Sequence, residues 1–486
     1  MIISKIPAEW VELRVVANDC QKFIAEWLTK ENMGLYTALA ANVLFPFHER
    51  IRKHSTVAVL REMERSQWLS ASEISDLQLN RLKVFLAECE RHVPYYRDKF
   101  RSLGFLPSKI DSVSDLSRLP LLTKEIIRKE FDRLKSNTNE SVRLFSTTGS
   151  TGDPLRFNIS KTRVSHDVAA KWRATRWWSV DIGDREMVVW SSAIELTKQD
   201  RIKHFRDWLL RSKLIASTAM SLSDMDRFIE EIRRFRPKMM FGYPSSMTLL
   251  AQRAEKQQVR LDDLGIKVTF CTAERLYPHQ RDILERIFGC PVANGYGCRD
   301  AGFIAHECPH GGMHITAEDI IVEIVDSRGQ SVPIGEPGEV VITHLNSSGF
   351  PFVRYKNGDI AVLDSKKCSC GRGLPLLRDI HGRTNDVLVA EDGSVVLAVA
   401  IALVLRDMPG VNGFKVIQET LTHTRLQLVT DDQFDRKNCP AKIVSAFKAR
   451  LGKGVSLDIE YLSNIEPEAS GKYRYVVSKI SNKIIY

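Results

Sequence analysis

The chain has 486 residues, 43% of them hydrophobic and 27% charged, enough to bury a large core and to divide into two or three domains. Its formal charge of +10 raises a nucleic-acid reading, but the basic residues lie in IRKHSTVAVLR, RIKHFRDWLLRSK and EEIRRFRPK, interrupted by acids and apolar residues, which is the texture of solvated helix faces. The opening MIISKIPAEWVELRVV carries early acids and no continuous apolar core, so neither a signal nor a transit peptide is expected. The longest apolar run, Val395 to Leu405, falls well short of the ~20 residues that span a bilayer and reads as a buried helix. Nine cysteines, scattered apart from two local groups, fit a reducing compartment, so a cytoplasmic protein without a transmembrane segment is expected.

Residues 1–125 are rich in helix formers with apolar positions three to four apart, as in ISDLQLNRLKVFLAECERHVPYYRDKFRSL, and predict a helical N-terminal segment packed on the large domain. Thr123 reads as an N-cap before a helix starting near Lys124. A polar loop, SNTNESVR, leads to STTGSTGDP at Ser146 to Pro154. There Ser146, Thr147, Thr148, Ser150 and Thr151 supply hydroxyls, while Gly149 and Gly152 let backbone amides approach an anion without a Cβ in the way. This is a phosphate cradle in chemical type. No Lys-Ser or Lys-Thr pair follows the second glycine, so it is not the Walker pattern, and on composition alone such a cluster is more often a surface loop than a phosphate site.

From Asn158 to Asp300 helix and strand patterns alternate, which predicts an α/β layered domain with a mostly parallel sheet and a ligand crevice at its strand ends. Four of those ends carry informative turns: TTGST, FGYPSS, CTAERL and NGYGCRDAG. After Cys308 the texture changes to period-two alternation broken by Gly, Pro and Asn turns, a smaller β subdomain. Residues 126–384 then form the α/β and β core, and residues 385–486 a compact α+β unit.

STTGSTGDP, NGYGCRDAG, VRYKNGDIAVL, IHGRTNDVLV and ASGKYR stand in the order seen in adenylate-forming enzymes. LPLLTKEIIRKEF and CSCGRGLPLLRDIHGR add a resemblance to the branch of phenylacetate-CoA ligase and the capsular polysaccharide protein CapK. The resemblance runs from about Leu119 to the end. It implies the acyl-CoA synthetase-like fold, a large N-terminal α/β domain with a β subdomain and a small mobile C-terminal domain, and an ATP-dependent, magnesium-assisted activation of a carboxylic acid. Thr147, Thr148, Ser150 and Thr151 would close on the β and γ phosphates, with Thr148 counted as catalytic. Tyr296 would lie against adenine, flanked by Asn294, Gly295 and Gly297. Asp300 would hold magnesium, where most relatives have the longer glutamate. Asp359 would accept from the ribose hydroxyls. A plain hairpin at Asn357-Gly358 with Asp359 merely flanking it is the alternative. Arg383 would reach the ribose or phosphate region as a fixed donor fork. The hinge would fall at Asn385 or Asp386, with Asn385 matching the first acid of the family's usual Asp-Asp. Lys472 would be the lysine that the C-terminal domain brings to the α-phosphate. Tyr243, Pro244, Ala273 and Glu274 would line the acyl pocket, with Trp190 nearby.

Spacing alone raises a separate question. Cys308, His310 and His314 lie in HECPHGGMHI, and Cys368 and Cys370 in KKCSCGR, so two loops can meet over one metal. The expected ligands are Cys308, His314, Cys368 and Cys370 around zinc, with His310 as substitute. Free thiols are the alternative, since only Ser369 separates the second pair. The functional expectation is an acyl-adenylate formed from a small carboxylic acid, with release of pyrophosphate and transfer to an acceptor, most simply CoA. Transfer to an amine, a hydroxyl or a cell-envelope polysaccharide, and a non-catalytic role in capsule assembly, are the competing readings. Nucleic acid is not an expected partner.

Overall fold

The computed structural model describes residues 33–138, 140–146, 155–190, 206–217, 221–383, 387–392, 395–397, 401, 404–405, 408–466 and 475–480. Helix α1 (Met33–Leu39) continues through a π turn (Ala40–Leu44) into α2 (Phe45–Arg52). Then come α3 (Thr56–Ser66), α4 (Ala71–His92), α5 (Pro94–Leu103) and α6 (Lys124–Lys129). A capping box starts α4: the Ser70 hydroxyl accepts from Glu73 N at 3.3 Å, and the Glu73 carboxylate accepts from Ser70 N at 2.8 Å. Thr123 does the N-cap work expected of it, accepting from Ile126 N at 3.4 Å.

Among the described residues the main sheet has eleven strands. Its parallel half is β3 (Glu186–Trp190), β4 (Ser212–Ala216), β5 (Met239–Gly242), β6 (Val268–Thr272) and β7 (Val292–Cys298). Helices α7 (Lys161–Arg176), α8 (Leu222–Phe235), α9 (Pro244–Lys256) and α10 (Pro278–Phe288) come from the same stretch of chain. An antiparallel half follows: β8 (Gly302–Glu307), β9 (Met313–Ile315), β10 (Ile320–Val325), β11 (Pro337–His344), β12 (Tyr355–Asp364) and β13 (Leu376–Arg383). The antiparallel strands were expected as a subdomain of their own, but β8 pairs directly with β7, so the two halves share one sheet. Buried residues of α4 and α5, such as Leu82, Phe85, Leu86 and Phe100, join Ile304, Ile315, Ile342 and Phe352 in one core.

Buried ion pairs tie the helical region to the sheet. The Arg173 guanidinium meets Glu318 at 2.5 Å, and Ser66 on α3 donates to the same carboxylate at 2.8 Å. His166 Nδ1 and Asp319 lie 2.8 Å apart, and Arg81 on α4 reaches Asp319 at 3.3 Å. Removing one partner of such a pair strands a buried charge, which costs more than the pair adds.

Two predicted elements differ. SNTNESVR is not loop throughout, because β1 (Val142–Ser146) pairs antiparallel with β2 (Arg156–Ser160), with Ser146 opposite Arg156. The apolar run from Val395 starts as a strand: β15 (Val395–Leu397) pairs with β14 (Val387–Val389), the β-branched side chains and the intervening turn favouring a hairpin over a longer helix. The C-terminal unit has its own sheet, order β18-β17-β16-β19, from β16 (Val411–Thr420), β17 (His423–Thr430), β18 (Ser456–Tyr461) and β19 (Val476–Ser478). Helix α11 (Cys439–Leu451) covers it, with Ile443 and Phe447 packed against Val416, Leu426 and Leu428.

Candidate active site

The resemblance-derived nucleotide residues converge where β7 and β12 approach. Tyr296 on β7 donates its hydroxyl to Asp359 Oδ2 on β12 at 2.6 Å, and Asn357 Nδ2 donates to the same oxygen at 2.7 Å and to the Tyr296 hydroxyl at 2.9 Å. Asp359 N in turn donates to Asn357 Oδ1 at 3.0 Å. Asn357 and Asp359 therefore form a locked acceptor unit with Tyr296 rather than a bare hairpin flank. Burial, followed by the Asp359 charge, pushes the Tyr296 phenol well above its ordinary range, so it stays a donor. The β12–β13 register sets Arg383 opposite Asp359.

The glycines of NGYGC are needed for close approach. A Cβ on Gly295 would stand 2.7 Å from the Phe270 ring, and one on Gly297 2.5 Å from the Gly302 carbonyl. Asn294 N donates to Glu307 at 2.8 Å, and Arg281 of α10 holds that carboxylate at 2.7 Å.

Asp300 is only 5% exposed. Tyr355 donates to its Oδ2 at 2.5 Å. Burial pushes the carboxyl pKa up, but hydrogen bonds from Cys298 and Tyr355 and the Lys124 charge outweigh it and hold the group below its ordinary value. It is therefore an anion at neutral pH, the state a hard divalent cation requires, and one carboxylate suits magnesium, which keeps waters and phosphate oxygens for its other positions.

At the ends of β5 and β6 the expected acyl-pocket residues gather. Tyr243 stacks on Trp190 with ring centroids 4.4 Å apart, and Pro244 opens α9. Glu274 Oε2 accepts from Ser245 N at 3.2 Å, capping the positive end of α9 from the neighbouring turn. Ala273 holds φ at +67°, a left-handed conformation that a non-glycine residue adopts at a cost of order 1 kcal/mol.

Cys308, His314, Cys368 and Cys370 come together with their ligand atoms all within 4.8 Å of one another. The Cys308 and Cys368 sulfurs are 3.6 Å apart, close to the edge of ~3.7 Å that two Zn–S bonds of ~2.3 Å subtend in a tetrahedron. Cys370 Sγ and His314 Nε2 are 3.2 Å apart. His310 faces Ser369 instead, at 3.1 Å. Burial, with the Arg372 and Arg173 charges, lowers the His314 pKa to about 4, leaving a neutral ring able to ligate. Burial raises the Cys308 thiol to about 12, whereas donors from Arg372 outweigh burial at Cys370 and lower it. Three thiols and a neutral imidazole in this geometry fit tetrahedral zinc better than unrelated free thiols. Gly312 permits the approach, since a Cβ there would lie 2.7 Å from Cys368 Sγ.

Thr147, Thr148, Gly149, Ser150, Thr151, Gly152, Asn385, Asp386 and Lys472 lie outside the described residues. Ser146, at the end of β1, leads directly into the cradle. Sequence reading overlooked Tyr355, Asn357 and Cys298 as partners of Asp300, Asp359 and Tyr296. Their period-two spacing from Asp359 and Tyr296 on two strands was the available signal.

Comparison with known proteins fits this geometry. The AMP-binding enzyme family model matches residues 135–347, and the CapK C-terminal domain model matches residues 388–479. Together with the eleven-stranded sheet and the converging site, these matches define an adenylate-forming enzyme. Protein CapK of Staphylococcus aureus is 23% identical over 89% of this chain and 94% of its own length. Phenylacetate-coenzyme A ligase of Thermus thermophilus is 24% identical over 86% of this chain and 90% of its own. The chain belongs to the phenylacetate-CoA ligase and CapK family of the adenylate-forming superfamily. A crystal structure of 2-hydroxyisobutyryl-CoA ligase in the postadenylation state superposes with a TM-score of 0.71 at 21% identity, over 87% of this chain and 92% of that one, and so shares the fold.

Proposed function

We propose that this chain is an AMP-forming ligase that activates a carboxylic acid as its acyl-adenylate, releases pyrophosphate, and passes the acyl group to the thiol of CoA. The observation that carries the reading is the unit formed by Tyr296, Asn357 and Asp359, which fixes an acceptor and an aromatic face in one place. Asp359 would take the ribose hydroxyls, and Tyr296 would set the adenine plane. Asp300, ionised, would hold magnesium, which when bound supplies charge neutralisation on the phosphates. The cradle residues, which stand in the sequence between β1 and β2, would hold the pyrophosphate. The acid would enter between Trp190, Tyr243 and the Ala273-Glu274 turn, its carboxylate directed at the α-phosphate. Positioning and preorganised charge would supply most of the rate.

Lys472 would stabilise charge on the α-phosphate and carboxylate in the first half-reaction only. Lys472→Ala is expected to abolish ATP–pyrophosphate exchange, by about a hundredfold or more, and to spare thiolysis of preformed acyl-adenylate. Normal exchange in that variant would overturn the assignment. A second reading keeps adenylation and changes the acceptor to an amine, a hydroxyl or a cell-envelope polysaccharide, and the match of the CapK C-terminal domain model over residues 388–479 favours it. Offering CoA, amines and hydroxylated glycans to enzyme charged with acyl-adenylate separates the two. The cysteine–histidine cluster would hold a structural zinc, since its four ligands leave no open position.

A further inference from the structure

The continuous helical rod from Met33 to Arg52 buries one face and exposes another of unusual composition. Inward, Tyr36, Ala40, Phe45 and Glu49 are buried, with a five-residue step from Ala40 to Phe45. That step coincides with the π turn, in which Phe45 N donates to Ala40 O. Outward, Leu35, Leu39, Val43, Phe47 and Ile51 recur every fourth residue at 61%, 39%, 54%, 66% and 64% exposure. On an uninterrupted α-helix a four-residue repeat drifts by about 40° per step, so five such positions would wind off one face. The π turn inserts a residue where the rod needs it and takes back part of that drift, so the five apolar side chains stay in one solvent-facing row.

The charge around this row has one sign. Between Met33 and Arg61 the single acid is Glu49, which is buried, while Arg50 and Lys53 are exposed and Arg52 is half-buried at the end of the rod. Asp184, a half-buried acid beside α1, accepts from Thr37 at 2.8 Å. The Tyr36 hydroxyl donates to Leu209 O at 2.6 Å, which brings the partly exposed Trp208 beside the first turn. An exposed apolar row with basic groups at one end and an amphipathic aromatic at the other is the composition of a helix lying in a bilayer interface. No helix among the described residues is long and apolar enough to cross a membrane, so the contact would be peripheral.

We propose that the Met33–Arg52 rod docks this enzyme on an anionic phospholipid surface, the apolar row entering the headgroup boundary and Arg50, Arg52 and Lys53 meeting lipid phosphates. None of these residues belongs to the candidate active site, so docking and catalysis can be measured apart.

The test is flotation of the full chain with phosphatidylcholine vesicles, with and without about a third phosphatidylglycerol. The expected result is flotation with the anionic vesicles, weakened at high salt. Phe47→Glu with Val43→Glu should reduce it at least tenfold, Arg50→Glu with Lys53→Glu should reduce it severalfold, and pyrophosphate exchange should be unchanged in all. Flotation that is absent, or insensitive to the apolar substitutions, overturns the proposal. Two further outcomes also overturn it. A concentration-dependent dimer that Val43→Glu dissociates would assign the face to a second copy of the chain. A vesicle-free Phe47→Cys variant that resists maleimide would show that residues of the same chain already cover the row.

Discussion

At the scale of single residues, buried groups behave according to whether a partner was built for them. Asp300 keeps its charge in a site that would otherwise neutralise it, because Cys298, Tyr355 and Lys124 outweigh burial. His306 is the opposite case. It is 1% exposed, both ring nitrogens are without a hydrogen-bond partner among the described residues, and its ring packs on Phe303 and Phe270 with centroids 5.5 and 6.0 Å away. Burial, with the nearby Arg173 charge, lowers its pKa from 6.5 to about 3. A proton that the unfolded chain binds below pH 6.5 is thus refused by the folded one until about pH 3. Stability is therefore intact above the upper value and falls through that window by ~1.4 kcal/mol per pH unit for this group. His306→Leu, compared with wild type by urea unfolding at neutral and mildly acid pH, is expected to lose that share of the acid slope. An unchanged slope would mean that other groups govern acid unfolding.

At the scale of elements, the cysteine–histidine cluster joins parts of the chain distant in sequence. The loop that carries Cys368 and Cys370 continues into Arg372, whose guanidinium lies between Trp68 and Trp177 at 4.9 and 4.5 Å and donates to Gln67 Oε1 at 3.0 Å. Trp177 also donates to Gln67 at 2.8 Å and meets the His314 ring edge-on at 5.5 Å. A metal held by that loop would therefore stiffen the joint between α3, α7 and the antiparallel half of the sheet. Purified protein is expected to carry one zinc per chain by mass spectrometry. Cys368→Ser, or stripping with a strong chelator, should destabilise it by on the order of 4 kcal/mol and alter the emission of Trp68 and Trp177. Metal-free protein with unchanged stability and emission would leave the cluster as four unligated side chains.

At the scale of the whole molecule, the C-terminal unit touches the core through Tyr475, three residues beyond Lys472. Its ring meets Tyr277 edge-on at 5.2 Å, and Gln280 Nε2 donates to its hydroxyl at 3.4 Å. Tyr277 and Gln280 belong to the N-terminal end of α10, so the contact ties Tyr475 of the C-terminal unit to the large domain. Tyr277→Ala is expected to slow pyrophosphate exchange roughly tenfold while thiolysis of preformed adenylate continues, and Tyr277→Phe, which keeps the ring contact, to stay near wild type. Equal loss in both half-reactions would place this contact outside the adenylation geometry.

Much of this was legible in the chain itself. Alternating 3.6 and 2.0 periodicities marked the helices and four of the five strands of the parallel half to within a few residues, because each element's apolar spacing is a local property; β4 (Ser212–Ala216) escapes that reading. The five motifs in order pointed to the family, and the spacing of HECPHGGMHI and KKCSCGR pointed to four side chains that do meet. Other features depended on contacts that no local pattern encodes. The pairing of β8 with β7, which fuses the two halves into one sheet, is a choice between strands of similar texture, settled by which edge lies open. The strand at Val395 reads as helix until Val387–Val389 is available to pair with it. The charge of Asp300, the neutrality of His306 and the acceptor locked between Tyr296 and Asn357 arise from burial and from contacts that include partners over 50 residues away, Tyr355 for Asp300 and Tyr296 for Asp359. Residue type fixed which chemistry each side chain can perform. Tertiary packing decided which protonation state and which partner it has, because desolvation and hydrogen bonding act only across the folded distances.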